Sequence, residues 1–140
     1  MHHTISVLVV NQSGVLSRIS GLFSGRGFNI ESLNVAETND SGISRMTIVT
    51  RGDDKKIEQV TKQLNKLVDV IKVIDLTEEN FVDRELILVK MNAEARVREE
   101  ILRIVDIFRA KVIDVNPDTY TVEITGDEGK TKGFLDLLKP

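Results

Sequence analysis

The pattern of hydrophobic and polar positions in the first half of the chain predicts four strands and two helices. Residues 4–10 form an almost continuous apolar run rich in β-branched side chains, which is typical of a strand buried on both faces. From Gly14 the apolar spacing becomes helical, and the glycine-rich residues 25–27 end this helix. Asp53 and Asp54 open the second helix, because carboxylates complement the positive end of a helix dipole. The predicted strands cover residues 4–10, 28–38, 43–50 and 70–76.

The second half repeats this order of elements after a short polar linker at residues 77–80. The repeat lacks the last strand, and the sequence stops at Pro140, where that strand is expected to begin. A sandwich without this strand exposes apolar surface, so we expect that the sequence is trimmed or that a natural tail is absent from it. The predicted elements of the repeat are strands at 84–91, 112–115 and 120–125 and helices at 97–108 and 130–138.

This order predicts an α+β fold of two ferredoxin-like βαββαβ sandwiches in tandem, the second lacking its closing strand. The predicted domains are residues 1–77 and residues 78–140. Right-handed crossovers give the strand order 4-1-3-2, which leaves the strand at 28–38 on an edge. Such a long edge strand is poorly protected, and pairing with its own copy across a two-fold axis would cover it. We therefore expect a homodimer.

Composition excludes several classes of protein. A net charge of -3 over 140 residues argues against nucleic-acid binding, and the chain has no cysteine for disulfides or zinc-thiolate sites. No apolar run approaches the ~18–20 residues that span a bilayer, so we expect a cytoplasmic protein with no membrane partner. His2 and His3, at an expected flexible terminus, are poor metal ligands, and no metal site is predicted.

Catalytic motifs are also lacking. The glycine-containing residues 126–131 follow a strand and open a helix, but two residues separate the glycines where a phosphate loop needs four. No serine lies in a nucleophile elbow, and the acidic residues are scattered over amphipathic helices. We predict that the chain is not an enzyme, with a small enzyme using scattered carboxylates as the alternative.

The turn at residues 11–14 is a candidate site for a small anion. A helix that begins near Gly14 directs unpaired N–H groups and the positive end of its dipole into this turn. Asn11 can donate and accept hydrogen bonds, and a two-fold axis would bring Asn29 of a second copy over the turn. The same residues also suit an ordinary turn in which Asn11 and Ser13 serve as loop or cap residues. The candidate apolar lining consists of Val15, Leu16 and Ile30.

Five stretches of the chain resemble those of one known family. They are SVLVVNQSGVLSRISGLFSGRGFNIESLNV (6–35), SRMTIVT (44–50), IEQVTKQLNKLVDVIKVIDL (57–76), RELILVK (84–90) and IFRAKVIDV (107–115). The family that they resemble is the small regulatory subunits of acetolactate synthase, which have an N-terminal ACT domain. The resemblance implies a non-catalytic subunit that binds and activates a catalytic subunit carrying thiamin diphosphate, magnesium and FAD. It also implies feedback inhibition, usually by valine and otherwise by another branched-chain amino acid, in branched-chain amino-acid biosynthesis.

In this family the effector lies between the ACT domains of a dimer, at the first strand–helix turn of one chain and the second strand of the other. The resemblance and the helix dipole therefore predict a site at the same turn, residues 11–14. The alternative is an ACT-type module that regulates a different enzyme or a transcription factor. The effector-binding residues implied here are Asn11, Gly14, Val15, Leu16, Asn29 and Ile30.

Overall fold

The structure, a computed structural model, describes residues 2–78 and 80–138. Glu79 of the predicted linker and Pro140, where the closing strand was expected, lie outside the described residues. The chain packs into two compact units that divide between Phe81 and Val82. None of the described helices is long and apolar enough to cross a membrane.

The first unit is a four-stranded antiparallel sheet with two helices. Its strands lie in the order β2-β3-β1-β4, which confirms the predicted order and leaves β2 on an edge. A 3-10 helix, Leu76–Glu78, follows the last strand and overlaps the start of the predicted linker. The elements are β1 His2–Val10, α1 Val15–Gly25, β2 Ile30–Glu37, β3 Ile43–Arg51, α2 Asp54–Asn65 and β4 Val70–Asp75.

The core of the first unit lies between one face of the sheet and both helices. Along β1 the side chains of Ile5, Val7 and Val9 are buried in this core. On the opposite face of β1, Leu8 and Val10 are only partly buried, so the prediction of burial on both faces is wrong for them. Side chains alternate between the two faces of a strand, and both helices pack on the same face.

The ends of the two helices follow from single residues. After α1, Gly27 has φ +74, and the N–H of Phe28 donates to the Phe23 carbonyl oxygen at 3.0 Å, as in a Schellman motif. The rings of Phe23 and Phe28 then pack edge to face. At the start of α2, Asp53 accepts a hydrogen bond from the N–H of Lys56, which confirms the predicted acidic start.

The second unit repeats the architecture with three antiparallel strands in the order β5-β7-β6. Its core joins Ile101 and Val105 of one helix, Phe134 of the other, and Val122 and Ile124 of the central strand. The two units together confirm the predicted α+β class with ferredoxin-like units in tandem. The elements are β5 Glu85–Asn92, α3 Arg98–Ile107, β6 Lys111–Val115, β7 Thr119–Gly126 and α4 Glu128–Leu138.

The prediction that His2 and His3 lie at a flexible terminus is wrong. Both lie in β1, and His3 is 2% exposed, so they do not form a flexible terminus. His3 Nδ1 lies 3.1 Å from Asp75 Oδ2, and this contact joins β1 to β4. His3 Nε2 lies 3.4 Å from Asp54 Oδ1 but has no hydrogen-bond partner among the described residues.

Candidate effector site at the start of helix α1

The N-terminus of α1 has no cap from a side chain. Gly14 is the N-cap residue, with φ +86 in the left-handed region that glycine adopts without strain. Ser13, a candidate cap in the sequence, makes no capping hydrogen bond, and the first turn carries no acidic residue. In the described part of the chain, the N–H groups of Leu16 and Ser17 have no acceptor. This terminus therefore presents unsatisfied donors and a partial positive charge.

Asn11 ties the turn to the loop between β2 and β3. Its backbone N–H donates to the Gly42 carbonyl oxygen at 2.9 Å. Its side-chain Nδ2 donates to the Ser41 carbonyl oxygen at 2.9 Å and to Glu37 Oε1 at 3.2 Å. The side chain is exposed, and no donor among the described residues reaches its Oδ1. Two acceptors therefore lie at the turn: the side-chain oxygen Oδ1 of Asn11 and the carboxylate of Glu37, which Asn11 holds in place.

The two apolar residues of the turn have different surroundings. Val15 is 2% exposed and belongs to the core, so only its backbone faces the turn. Leu16 is 44% exposed and offers apolar surface beside the free N–H groups. Of these two predicted lining residues, only Leu16 has an accessible side chain.

Asn29 and Ile30 lie at the other end of α1. Asn29 is exposed in the segment before β2, and its carbonyl oxygen accepts a hydrogen bond from Thr50 Oγ1 at 2.7 Å. Ile30 begins β2 and is partly buried against the core. An 11-residue helix is about 16 Å long, so one chain does not bring both groups of predicted residues around one small molecule.

The edge strand β2 is exposed along almost its whole length. Leu33 and Val35 are each 40% exposed. They pair with Ile48 and Met46, which are buried core residues, so they lie on the face of the sheet that the helices cover. This edge therefore carries apolar surface next to a row of backbone groups that the sheet leaves unpaired.

Arg18 is an exposed charged residue of α1. Its Nε and Nη2 lie 2.9 Å and 2.5 Å from Asp69 Oδ2. Its Nη1 lies 3.4 Å from the position that a Cβ would occupy at Gly14. Asp69 is 51 positions away in sequence, so no local pattern could have placed this ion pair beside the turn.

Both units match known families. Residues 5–72 match the AHAS small subunit-like ACT domain, and residues 84–140 match the small subunit of acetolactate synthase. The acetolactate synthase small subunit of Aquifex aeolicus is 56% identical over 139 residues, which cover 99% of this chain and 72% of that protein. The chain belongs to the acetolactate synthase small-subunit family.

Other members of the small-subunit family support this assignment. The protein from Haemophilus influenzae is 50% identical over 99% of this chain and 85% of its own length. The crystal structure of the small subunit from Thermotoga maritima is similar with a TM-score of 0.92 and 43% identity, over 99% of this chain and 87% of that chain. The shared fold of this small-subunit family therefore extends over both units.

Proposed function

We propose that this chain is the non-catalytic regulatory subunit of an acetolactate synthase. It binds and activates the catalytic subunit and makes it sensitive to feedback inhibition by valine. The observation that carries the proposal is the match of both units to acetolactate synthase small subunits. The chemistry of thiamin diphosphate, magnesium and FAD belongs to the catalytic partner.

The start of α1 is the proposed binding site for the carboxylate of valine. The free N–H groups of Leu16 and Ser17 are donors for an anion, and the helix dipole adds favourable potential. The dipole contributes only ~0.3–1 kcal/mol at an exposed site, so further groups must bind the rest of the molecule. Asn11 Oδ1 and the adjacent Glu37 carboxylate are acceptors for the ammonium group.

A two-fold pairing of β2 with its copy completes the proposed site. An antiparallel pairing of the strand Ile30–Glu37 with its copy places the two-fold axis near the middle of the strand, so the start of the partner's strand lies beside the end of this one. The partner's Ile30 then lies close to Glu37, whose side-chain carboxylate accepts a hydrogen bond from Asn11. The partner's Asn29 and Ile30 would thus reach the ligand that the first chain's turn holds. Pairing also covers the exposed apolar residues of β2.

Inhibition follows from a shift between two states of the holoenzyme. Because each site uses residues of both chains, bound valine stabilises one geometry of the dimer. We propose that this geometry holds the catalytic subunit in a less active arrangement. The ligand must prefer that state, and a coupling of about 1–3 kcal/mol gives inhibition of about 5- to 150-fold.

Reconstitution tests this function. The full chain is added to the purified catalytic subunit of the same organism, and acetolactate formation is measured with and without valine. We expect the chain to raise the activity and to make it sensitive to valine, and we expect the catalytic subunit alone to be insensitive. Absence of both co-elution and activation would refute the proposal. A matched Gly14→Asp chain should still activate but should lose most of the inhibition by valine.

A further inference from the structure

The guanidinium group of Arg18 lies at the terminus of α1 that should repel it. The positive end of a helix dipole disfavours a cation in its first turns. Arg18 is nevertheless folded back toward Gly14, and its backbone N–H donates to the Gly14 carbonyl oxygen at 3.1 Å. The first turn of α1 contains no acid that would offset the two positive groups. An anion close to both groups would make this arrangement more favourable.

Asp69 forms an ion pair with one side of the guanidinium group. A single oxygen of Asp69, Oδ2, accepts a hydrogen bond from Nε of Arg18 and lies 2.5 Å from Nη2. The Asp69 side chain is 21% exposed, whereas that of Arg18 is 52% exposed. The backbone of Asp69 is also fixed, because its carbonyl oxygen accepts from the N–H of Val10 at 2.8 Å. Asp69 therefore fixes the orientation of the guanidinium plane.

The remaining nitrogen of Arg18 lies over the turn. Nη1 has no acceptor among the described residues, and it lies 3.4 Å from the Cβ position of Gly14. A guanidinium group binds planar carboxylates with geometrically fixed donors. The absence of a side chain at Gly14 lets Nη1 lie close to the backbone of the turn, so that Nη1 and the N–H groups of the helix N-terminus are neighbouring donors for one carboxylate.

We propose that Arg18, oriented by Asp69, recognises the carboxylate of the effector and selects ligands that carry a free carboxylate. The inference rests on the proposed function, because it assigns a further residue to the same effector site. Arg18 then acts as a specificity-determining residue, and Asp69 acts as its positioning residue.

Titration calorimetry of the full chain with valine and with valinamide tests this role. Valinamide keeps the isopropyl and ammonium groups but has a neutral amide in place of the carboxylate. In Arg18→Gln we expect the affinity for valine to fall about tenfold, since hydrogen bonds to charged groups are the strong ones. The affinity for valinamide should change less than twofold. Arg18→Lys keeps the charge but lacks the planar donors, so it should recover only part of the affinity for valine.

Arg26→Gln is the matched control, because Arg26 follows the other end of α1. This variant should bind both compounds as the unmodified chain does. Equal losses for valine and valinamide in Arg18→Gln, or no loss for valine, would overturn the role of Arg18 and leave the proposed site intact. Failure of the unmodified chain to bind valine would instead refute the effector site itself.

Discussion

Gly14→Asp places a carboxylate at the start of α1, where the proposed ligand carboxylate binds. The new Cβ would lie 3.4 Å from Arg18 Nη1, so the aspartate side chain would contact the guanidinium group. It would occupy the same donors as the ligand, and it would repel the ligand's own negative charge. The backbone of Gly14, with φ +86, tolerates aspartate better than most residues, so we expect the fold to survive.

The expected loss of valine affinity in Gly14→Asp follows from the short distance between the two carboxylates. Two like charges about 4 Å apart near a protein surface repel by about 4 kcal/mol, and salt reduces this at an exposed turn to about 2 kcal/mol. A loss of about 2 kcal/mol corresponds to about 30-fold weaker binding, to which competition for Arg18 adds. We therefore expect valine to bind Gly14→Asp at least about 30-fold more weakly, as measured by titration calorimetry.

Gly14→Asn is the control that separates charge from strain. Asparagine has the same shape as aspartate and is equally tolerant of positive φ, but it is neutral. It should bind valine within several-fold of the unmodified chain. Equal losses in both variants would show that the backbone at Gly14 matters and that the charge does not. Unchanged binding in Gly14→Asp would refute the site.

Three further changes test the dimer and the fold. A mixed dimer of Asn11→Ala and Asn29→Ala subunits should retain one intact site, so calorimetry should give one valine per dimer with normal affinity. Val35→Lys introduces a charge on the exposed edge strand and should yield folded monomers in analytical ultracentrifugation. Gly27→Ala forces alanine into φ +74 and should lower the free energy of unfolding by about 1–2 kcal/mol in urea titrations.

Two substitutions serve as controls for these changes. Val68→Lys adds the same charge at a residue that is 97% exposed outside the edge strand, and it should leave the dimer intact. Gly21→Ala lies within α1 with open space around its Cβ position, and it should raise the stability by up to about 1 kcal/mol. A mixed dimer without any site would contradict the shared site. A dimeric Val35→Lys would contradict the strand pairing, and an unchanged stability of Gly27→Ala would contradict the left-handed turn.

The fold could be predicted from the sequence because its signals are local. The apolar stripe of α1, the glycines that end it and the acidic start of α2 each lie within a few residues of the structure that they determine. The strand order then follows from right-handed crossovers, which leave few arrangements for this order of elements.

The contacts that the sequence did not reveal join distant positions. His3 looked like part of a flexible terminus, but its ring meets Asp75, 72 positions later, and this contact depends on the pairing of β1 with β4. The role of Arg18 was also hidden, because its partner Asp69 lies 51 positions away in the sequence. The helical period placed it off the apolar stripe but carried no information about Asp69.

At the candidate turn, some features could be predicted from the sequence and others could not. Gly14 was identifiable from its neighbours as the start of a helix. Whether Ser13 would cap that helix depended on its side-chain conformation, which sequence spacing does not determine. The contact of Asn11 with Glu37 depends on the β2–β3 hairpin, which folds back toward the turn.

The most direct test of the effector site is a crystal structure of the full chain with bound valine. We expect the valine carboxylate within hydrogen-bond distance of the N–H groups of Leu16 and Ser17, with the partner's Asn29 closing the site. Valine bound at another place, with the start of α1 empty and the β2 strands unpaired, would contradict it.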